Sequence, residues 1–308
     1  MERFEGCLVG GAVGDALGAP VEFTRLEFAQ VSGLQPWGGH PAGSFTDDTQ
    51  MTIATAEGLL RAHRAGADPA DGVWERYLRW YARQSEPGYA RAPDSTCLAA
   101  LEGGGFARAA RNDSKGCGGV MRIAPVGLAH YGDPPVAFDL GCRIAGLTHG
   151  HPTGRLAAGC LAEIVARVTG GSALDEAIAK TRVRLTVECE GAETLAALDR
   201  AVGMAEVGAE PAEVAIAVAA DPVKGAGWVA EECLAVAVAA ALAHPDDYRA
   251  GVLAAVNIDG DRDSTGAVAG GLLGAMLGLG AVPAEWDAAV EDRDRLLALA
   301  RELHVSFG

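Results

Sequence analysis

Residues 260–279 read Gly-Asp-Arg-Asp-Ser-Thr-Gly-Ala-Val-Ala-Gly-Gly-Leu-Leu-Gly-Ala-Met-Leu-Gly-Leu. From Ser264 to Leu279 the stretch carries no charge and predicts a helix. Gly266, Gly270, Gly274 and Gly278 recur every fourth position along it. Each such glycine costs a helix roughly 1 kcal/mol relative to alanine, so a compensating reason is expected, and close backbone packing supplies one. The charge-free run Gly266–Val282 is shorter than the about 20 residues that span a bilayer, and it is rich in Gly and Ala rather than Leu and Ile. It reads as a buried helix at the centre of a globule.

Working outward, apolar residues recur at helical spacing along most of the chain, and alternating Val, Ile, Thr and Tyr are almost absent. The spacing predicts helices over Arg3–Leu17, Asp48–Arg64, Asp71–Gln84, Pro134–Leu147, Pro152–Val168, Leu174–Arg184, Ala192–Ala205, Ala230–Ala243, Asp246–Val256, Ser264–Leu279 and Pro283–Leu303. Val183–Cys189 is the one stretch that also reads as a short strand. In the first helix, Gly11, Gly14 and Gly18 fall near one face. No linker divides the chain, so residues 1–308 are expected to form a single all-α domain. Two long non-helical segments, Ala19–Asp47 and Ser85–Met121, are expected to wall a site.

The sequence has 308 residues, a net charge of −16 and 6% aromatics. That charge, with no basic run, argues against nucleic acid and against an anionic membrane surface as partners. A phosphate-bearing ligand would need a bound cation, a helix N-terminus or backbone N–H groups to attract it. The seven cysteines are scattered without a C-x-x-C pair, which points away from a zinc site or disulfide framework and fits a reducing cytoplasm. The N-terminus lacks a basic region followed by an apolar stretch, so no signal peptide is expected.

Two acidic clusters open apolar helices: Thr46-Asp47-Asp48-Thr49, and Asp261-Arg262-Asp263-Ser264-Thr265, the latter 213 positions after Asp48. Asp and Thr cap helix N-termini, and each cluster alone is explained that way. Together they also offer hard oxygen ligands to Mg²⁺ or Mn²⁺, and carboxylates converging in one pocket would be relieved by a pair of cations. Gly14-Asp15-Ala16-Leu17-Gly18 is followed by Glu22, a carboxylate at the start of a loop, suited to acid–base work or to solvent. Asn112-Asp113-Ser114-Lys115-Gly116-Cys117-Gly118-Gly119 is either a tight surface turn or a backbone cradle for pyrophosphate. His149 and His151 form an H-x-H pair with no nearby third ligand, and a structural or ligand hydrogen bond suits them better than zinc.

Taken in order, these segments resemble the ADP-ribosylglycohydrolase family, which includes dinitrogenase reductase-activating glycohydrolases and ADP-ribosylarginine hydrolases. The matching residues are Gly14-Asp15-Ala16-Leu17-Gly18 with Glu22, Thr46-Asp47-Asp48-Thr49, Ser114 to Gly118 with Met121-Arg122, Thr148-His149, and Gly260 to Gly266. The resemblance implies an all-α orthogonal bundle with a binuclear centre of two Mg²⁺ (or Mn²⁺). By that likeness Thr46, Asp47, Asp48, Asp261, Asp263 and Ser264 are metal ligands, and Glu22, Asp47 and Asp261 are catalytic. Ser114, Lys115, Gly116, Cys117 and Gly118 would hold the diphosphate, and His149 would line the ADP-ribose groove. The implied substrate is an ADP-ribosylated protein, most like the arginine-linked branch, or a small molecule containing ADP-ribose. Hydrolysis of serine- or acetyl-linked ADP-ribose, and binding without turnover, are the alternatives. Arg262 stands where the family usually has Ser or Thr. Pointing inward it would perturb the metals or pair with phosphate; pointing outward it would change little.

Overall fold

In the computed structural model, residues 1–102 and 109–308 are described. Residues 103–108, part of the long segment expected to wall the site, lie outside them. The elements in chain order are α1 (Glu2–Gly18), α2 (Asp47–Ala65), α3 (Pro69–Arg83), α4 (Ser95–Leu101), α5 (Ala124–Ala129), α6 (Pro134–Ala145), α7 (Pro152–Thr169) and α8 (Leu174–Leu185). Then follow α9 (Ala192–Glu206), α10 (Pro211–Val218), α11 (Ala230–Ala243), α12 (Tyr248–Val256), α13 (Arg262–Leu277), α14 (Ala284–Ala289) and α15 (Arg293–Phe307). Among the described residues extended pairing is limited to three isolated bridges, so the chain is all-α as the periodicity predicts.

The central pair is α1 against α13, running antiparallel. Cβ atoms placed on Gly6, Gly10, Gly14 and Gly18 would meet the carbonyl oxygens of Gly274, Gly270, Gly266 and Arg262 at 2.4, 2.6, 1.9 and 2.3 Å. Only glycine admits that approach. The contact face of α1 is therefore Gly6–Gly10–Gly14–Gly18. Gly11, expected on that face, is off it: a Cβ there would sit an ordinary 3.4 Å from the Ala267 carbonyl. Gly278 ends α13 at φ +82 and still abuts α1, since a Cβ on Gly6 would stand 2.6 Å from its carbonyl carbon. Tyr248 of α12 closes over the pair, its hydroxyl donating to the Gly10 carbonyl at 2.7 Å. The helices α1, α11 and α13 are buried on almost every face, and the pairs α2–α3 and α6–α7 pack around them.

Several expectations need correction. Val183–Cys189 contains no strand; α8 runs to Leu185 and the chain then turns. The helix expected over Pro283–Leu303 is two helices, α14 and α15, broken at Val290–Asp292, where Asp292 adopts a left-handed φ of +53. The segment Ser85–Met121, expected to be non-helical, contains α4, capped by Asp94. Two further short helices, α5 and α10, start at or just before a proline. All seven cysteines are free, and no helix among the described residues is long and apolar enough to cross a membrane.

Candidate active site

The antiparallel register of α1 and α13 sets the site. It places the C-terminal end of α1, with Asp15 and the start of the Glu22 loop, beside the first turn of α13. A Cβ on Gly18 would lie 2.4 Å from the Asp263 Cα, so the two backbones touch there. Asp15 then reaches across to α2. Its carboxylate accepts from the backbone N–H groups of Thr46 (2.9 Å) and Thr49 (3.0 Å) and from the Thr49 hydroxyl (2.6 Å). The two acidic helix starts, remote in sequence, thereby meet in one buried pocket.

Both starts do cap their helices. The Thr46 hydroxyl accepts from the Asp48 N–H at 3.3 Å, and the Asp261 carboxylate accepts from the Ser264 N–H at 3.2 Å. Capping leaves oxygens over. Asp48 Oδ2 and Asp263 Oδ1 are buried and have no hydrogen-bond partner. Asp15, Asp47, Asp48, Asp261 and Asp263 are each at most 3% exposed. Among the described residues none of the five pairs with a lysine or arginine.

The electrostatics of this cluster are extreme. Burial, and after it repulsion from Asp263, pushes the Asp15 carboxyl up to about 7. Burial likewise holds Asp47, Asp48 and Asp261 well above the usual carboxylate range; repulsion among the carboxylates adds to it. Asp263 is raised by burial too, against the opposing pull of Asp261 and the Thr46 hydroxyl. Glu22 faces the same group: burial, then the charges of Asp263, Asp261, Asp47 and Asp15, drive its carboxyl to about 11. Such a cluster is relieved by divalent cations. The donor set is all hard oxygen, and the two unpartnered oxygens belong one to each helix start. The residues present fit Mg²⁺ or Mn²⁺.

The glycine-rich turn closes the opposite wall. Cys117 donates its thiol to Asp261 Oδ2 at 2.9 Å and accepts from the Ser264 hydroxyl at 3.5 Å. Gly116 and Gly118 face Asp94; a Cβ on Gly118 would stand 2.3 Å from Asp94 Oδ2, which reserves that position for glycine. The Ser114 hydroxyl lies 3.1 Å from that of Thr96 and accepts from the Gly116 N–H at 3.3 Å. Lys115 points elsewhere, its ammonium taken up by Glu193 and Glu231. His149 is fully buried beneath the turn, with Nδ1 2.9 Å from the Thr148 hydroxyl and Nε2 3.6 Å from Asp94 Oδ2. His151 instead caps α7, accepting from the Thr153 N–H at 3.1 Å.

Two residues of the site escaped the sequence reading. Asp15 stood inside a glycine motif with no role attached. Asp94 stood in a segment expected to be irregular. Its N–H donates to Asp47 Oδ2 at 3.0 Å, and its carboxylate caps α4. Burial alone would raise the Asp94 carboxyl, but the nearby His149 imidazole, the hydrogen bond from the Cys97 N–H and the charge of Arg122 outweigh it and bring it down to about 2. Asp94, Cys97 and His149 bring one donor atom each within 4.8 Å of one another, a second spacing suitable for a metal. Arg122 already occupies that place with its own charge, donating to Cys97 Sγ at 2.9 Å, so a cation there would be repelled. Burial pushes the Cys97 thiol up to about 12, which removes the thiolate a metal would need.

Beside Glu22 a cleft of about 430 Å³ opens, walled by Phe23, Lys224, Trp228 and Asp259. Phe23 and Trp228 stack with centroids 6.0 Å apart and planes 21° from parallel. Trp228 is tied to the glycine turn through its carbonyl, which accepts from the Cys117 N–H at 3.1 Å.

Known proteins resemble this chain along most of its length. A glycohydrolase from Rhodospirillum rubrum, ADP-ribosyl-[dinitrogen reductase] glycohydrolase, is 30% identical over 97% of each chain. The ADP-ribosylarginine hydrolase Tri1 of Serratia proteamaculans is 24% identical over 98% of this chain and 79% of its own. The human ADP-ribosylhydrolase ARH3 is 27% identical over 100% of this chain and 94% of its own. A solved structure, an ADP-ribosylglycohydrolase-related protein complex, superposes with a TM-score of 0.67 at 29% identity over 100% of this chain and 98% of that one. The sequence profile of the ADP-ribosylglycohydrolase family matches residues 1–308, and the chain belongs to that family.

Proposed function

We propose that this protein is a divalent-metal-dependent hydrolase that removes ADP-ribose from modified protein side chains, with arginine the favoured linkage. The observation that carries the reading is the meeting of two acidic helix starts whose buried Asp48 Oδ2 and Asp263 Oδ1 have no partner. Thr46, Asp47, Asp48, Asp261, Asp263 and Ser264 would hold two Mg²⁺ or Mn²⁺. When bound, the ions would supply Lewis acidity at the ribose and offset the charge of the carboxylates.

The chain's own residues do the rest. Water adds to C1″ of the ribose as the bond from C1″ to the side-chain nitrogen breaks, through an oxocarbenium-like transition state, and the proton water gives up replaces the one that Glu22 passes to the leaving group. The departing guanidine needs a proton. Glu22 is the member of the acidic group that borders the open cleft, and its partial burial, which favours the protonated carboxyl, suits it to carry that proton. Asp47 and Asp261 take part in orienting the reacting centre. In the turn Ser114 to Gly118, where the N–H groups of Ser114, Gly116 and Cys117 already donate to Asn112, Ser114 and Trp228, those of Lys115 and Gly118 are left to meet the diphosphate. Lys115 contributes through the turn's position rather than through its charge, which Glu193 and Glu231 already occupy. An acidic pocket suits a guanidinium leaving group better than a neutral serine oxygen, which favours arginine. The Serratia relative, an ADP-ribosylarginine hydrolase, points the same way.

The test is release of ADP-ribose from arginine-ADP-ribosylated protein. Intact ADP-ribose should appear with Mg²⁺ or Mn²⁺, stop on EDTA treatment, and be absent for Asp261→Ala. Serine-linked and acetyl-linked substrates assayed in parallel should turn over at least about tenfold more slowly. Free phosphate in place of ADP-ribose would replace this reading with a phosphatase.

A further inference from the structure

We propose that Arg262 is a positioning residue that sets Glu22 over the acidic pocket by fastening the loop behind it; the inference rests on the hydrolase reading of that pocket. Arg262 lies between Asp261 and Asp263 in sequence, yet its side chain leaves the pocket altogether. It is fully buried, and its guanidinium is spent on backbone and amide oxygens. Nε donates to the Val256 carbonyl at 2.5 Å. Nη1 donates to the carbonyls of Ala29 at 2.9 Å and Thr24 at 3.3 Å, and Nη2 to Asn257 Oδ1 at 3.2 Å.

Thr24 and Ala29 belong to the loop that begins with Glu22. The linker between α12 and α13 grips the same loop at further points. Asn257 accepts from the Val31 N–H at 2.7 Å and donates back to the Val31 carbonyl at 2.9 Å, and Asp259 accepts from the Leu26 N–H at 2.7 Å. The loop is therefore anchored twice to the start of α13. At Gly18 the anchoring is backbone contact; from Thr24 to Val31 it is this set of hydrogen bonds, with Arg262 at its centre. Glu22 lies between the two anchors. The geometry makes the placement of its carboxylate depend on a residue that touches neither substrate nor metal ligand oxygens. A planar guanidinium can serve carbonyls on two segments at once; a single ammonium cannot reproduce that fork.

The test uses the full-length protein carrying Arg262→Ser or Arg262→Lys, alone and combined with Glu22→Gln. Three quantities are read: amide hydrogen exchange across residues 23–31, Mn²⁺ affinity by calorimetry, and the single-turnover rate of ADP-ribose release. Exchange at Leu26 and Val31 should quicken at least about tenfold in both variants, because opening of a loop sets that rate. Turnover should fall at least about tenfold with Mn²⁺ affinity within about threefold, and the Arg262 substitution should add no further loss once Glu22 is Gln. Unchanged loop protection would overturn the proposal. So would Mn²⁺ affinity falling in step with turnover, or an equal loss in the Glu22→Gln background. If Arg262→Ser does not fold, Asn257→Ala, which removes both the Val31 fastening and the acceptor of Arg262 Nη2, carries the same readouts. A wild-type protein that releases no ADP-ribose would sink the hydrolase reading, while the exchange and affinity measurements still decide the role of Arg262.

Discussion

Asp15 accepts three hydrogen bonds from the start of α2, an environment that by itself favours the ionised form. Burial and the neighbouring Asp263 outweigh those bonds and hold its carboxyl near 7 in the metal-free protein. The sign of the linkage follows. A carboxyl raised from 3.8 to about 7 on folding binds its proton more tightly in the native state. Its contribution to stability is complete below pH about 4 and drains away as pH rises to about 7. Metal-free protein should thus lose urea resistance between pH 5 and 7 relative to Asp15→Asn, the reverse of ordinary acid denaturation. Mn²⁺ should abolish the difference in slope, and equilibrium unfolding at several pH values reads both effects. Asp48→Asn and Asp263→Asn act at the unpartnered oxygens themselves. Each should weaken Mn²⁺ binding at least about tenfold and reduce turnover by about 10² or more, while leaving the metal-free protein as stable as wild type or more so. Calorimetric titration and thermal melts in EDTA check the two halves of that expectation.

At the scale of elements, the α1–α13 contact makes a sharper distinction than helix propensity does. Gly14→Ala would force a Cβ to 1.9 Å from the Gly266 carbonyl, and the helices would have to part at the very turn that carries Asp15. A cost of at least about 3 kcal/mol is expected, with loss of metal binding in the fraction that folds. Gly11→Ala, three residues away on the same helix, meets nothing nearer than 3.4 Å and should be neutral or stabilising by up to about 1 kcal/mol. Thermal denaturation of the two variants side by side tests the assignment of the face. The sequence carries the period of four on α13 in plain view, and hence the close helix pair, but not which glycines of α1 answer it. Gly11 and Gly14 are equally small, and only the partner's register separates them. The break between α14 and α15 is hidden for a related reason: Asp292 takes a left-handed conformation that neither Gly nor Asn announces, while the apolar period runs on through it. Asp94 is hidden because α4 is a single short helix whose cap resembles any loop aspartate. The two acidic helix starts read as candidate ligands because their residue types suit cations. Their convergence is a property of α1 and α13, which the acidic motifs themselves do not contain. Arg262 is the converse case, a charge inside a motif whose direction the motif does not determine.

For the whole molecule, a chain of net charge −16 buries five aspartates within one pocket, and no basic side chain among the described residues pairs with them. Folding must bring these carboxylates together in a medium that screens them poorly, so the native state without cations is held by the apolar core against the site. The unfolded chain disperses the same residues into water and has no comparable place for a divalent ion. Binding to the native state alone then stabilises it by mass action, by about 2.7 kcal/mol when the ion stands at a hundred times its dissociation constant. For a chain of 308 residues that amounts to a rise in Tm of about 4 °C. Mg²⁺ or Mn²⁺ should deliver that rise and EDTA should reverse it, whereas added NaCl at equal ionic strength should give only a small part of it. Salt screens exposed charges within its Debye length but does not enter a pocket whose members are almost wholly shielded from solvent. The Asp48→Asn/Asp263→Asn double variant supplies the control: its Tm should no longer respond to either divalent ion, and its response to NaCl should match that of the wild type. A divalent-ion response that survives in the double variant would move the stabilising site away from the two helix starts and onto the acidic surface.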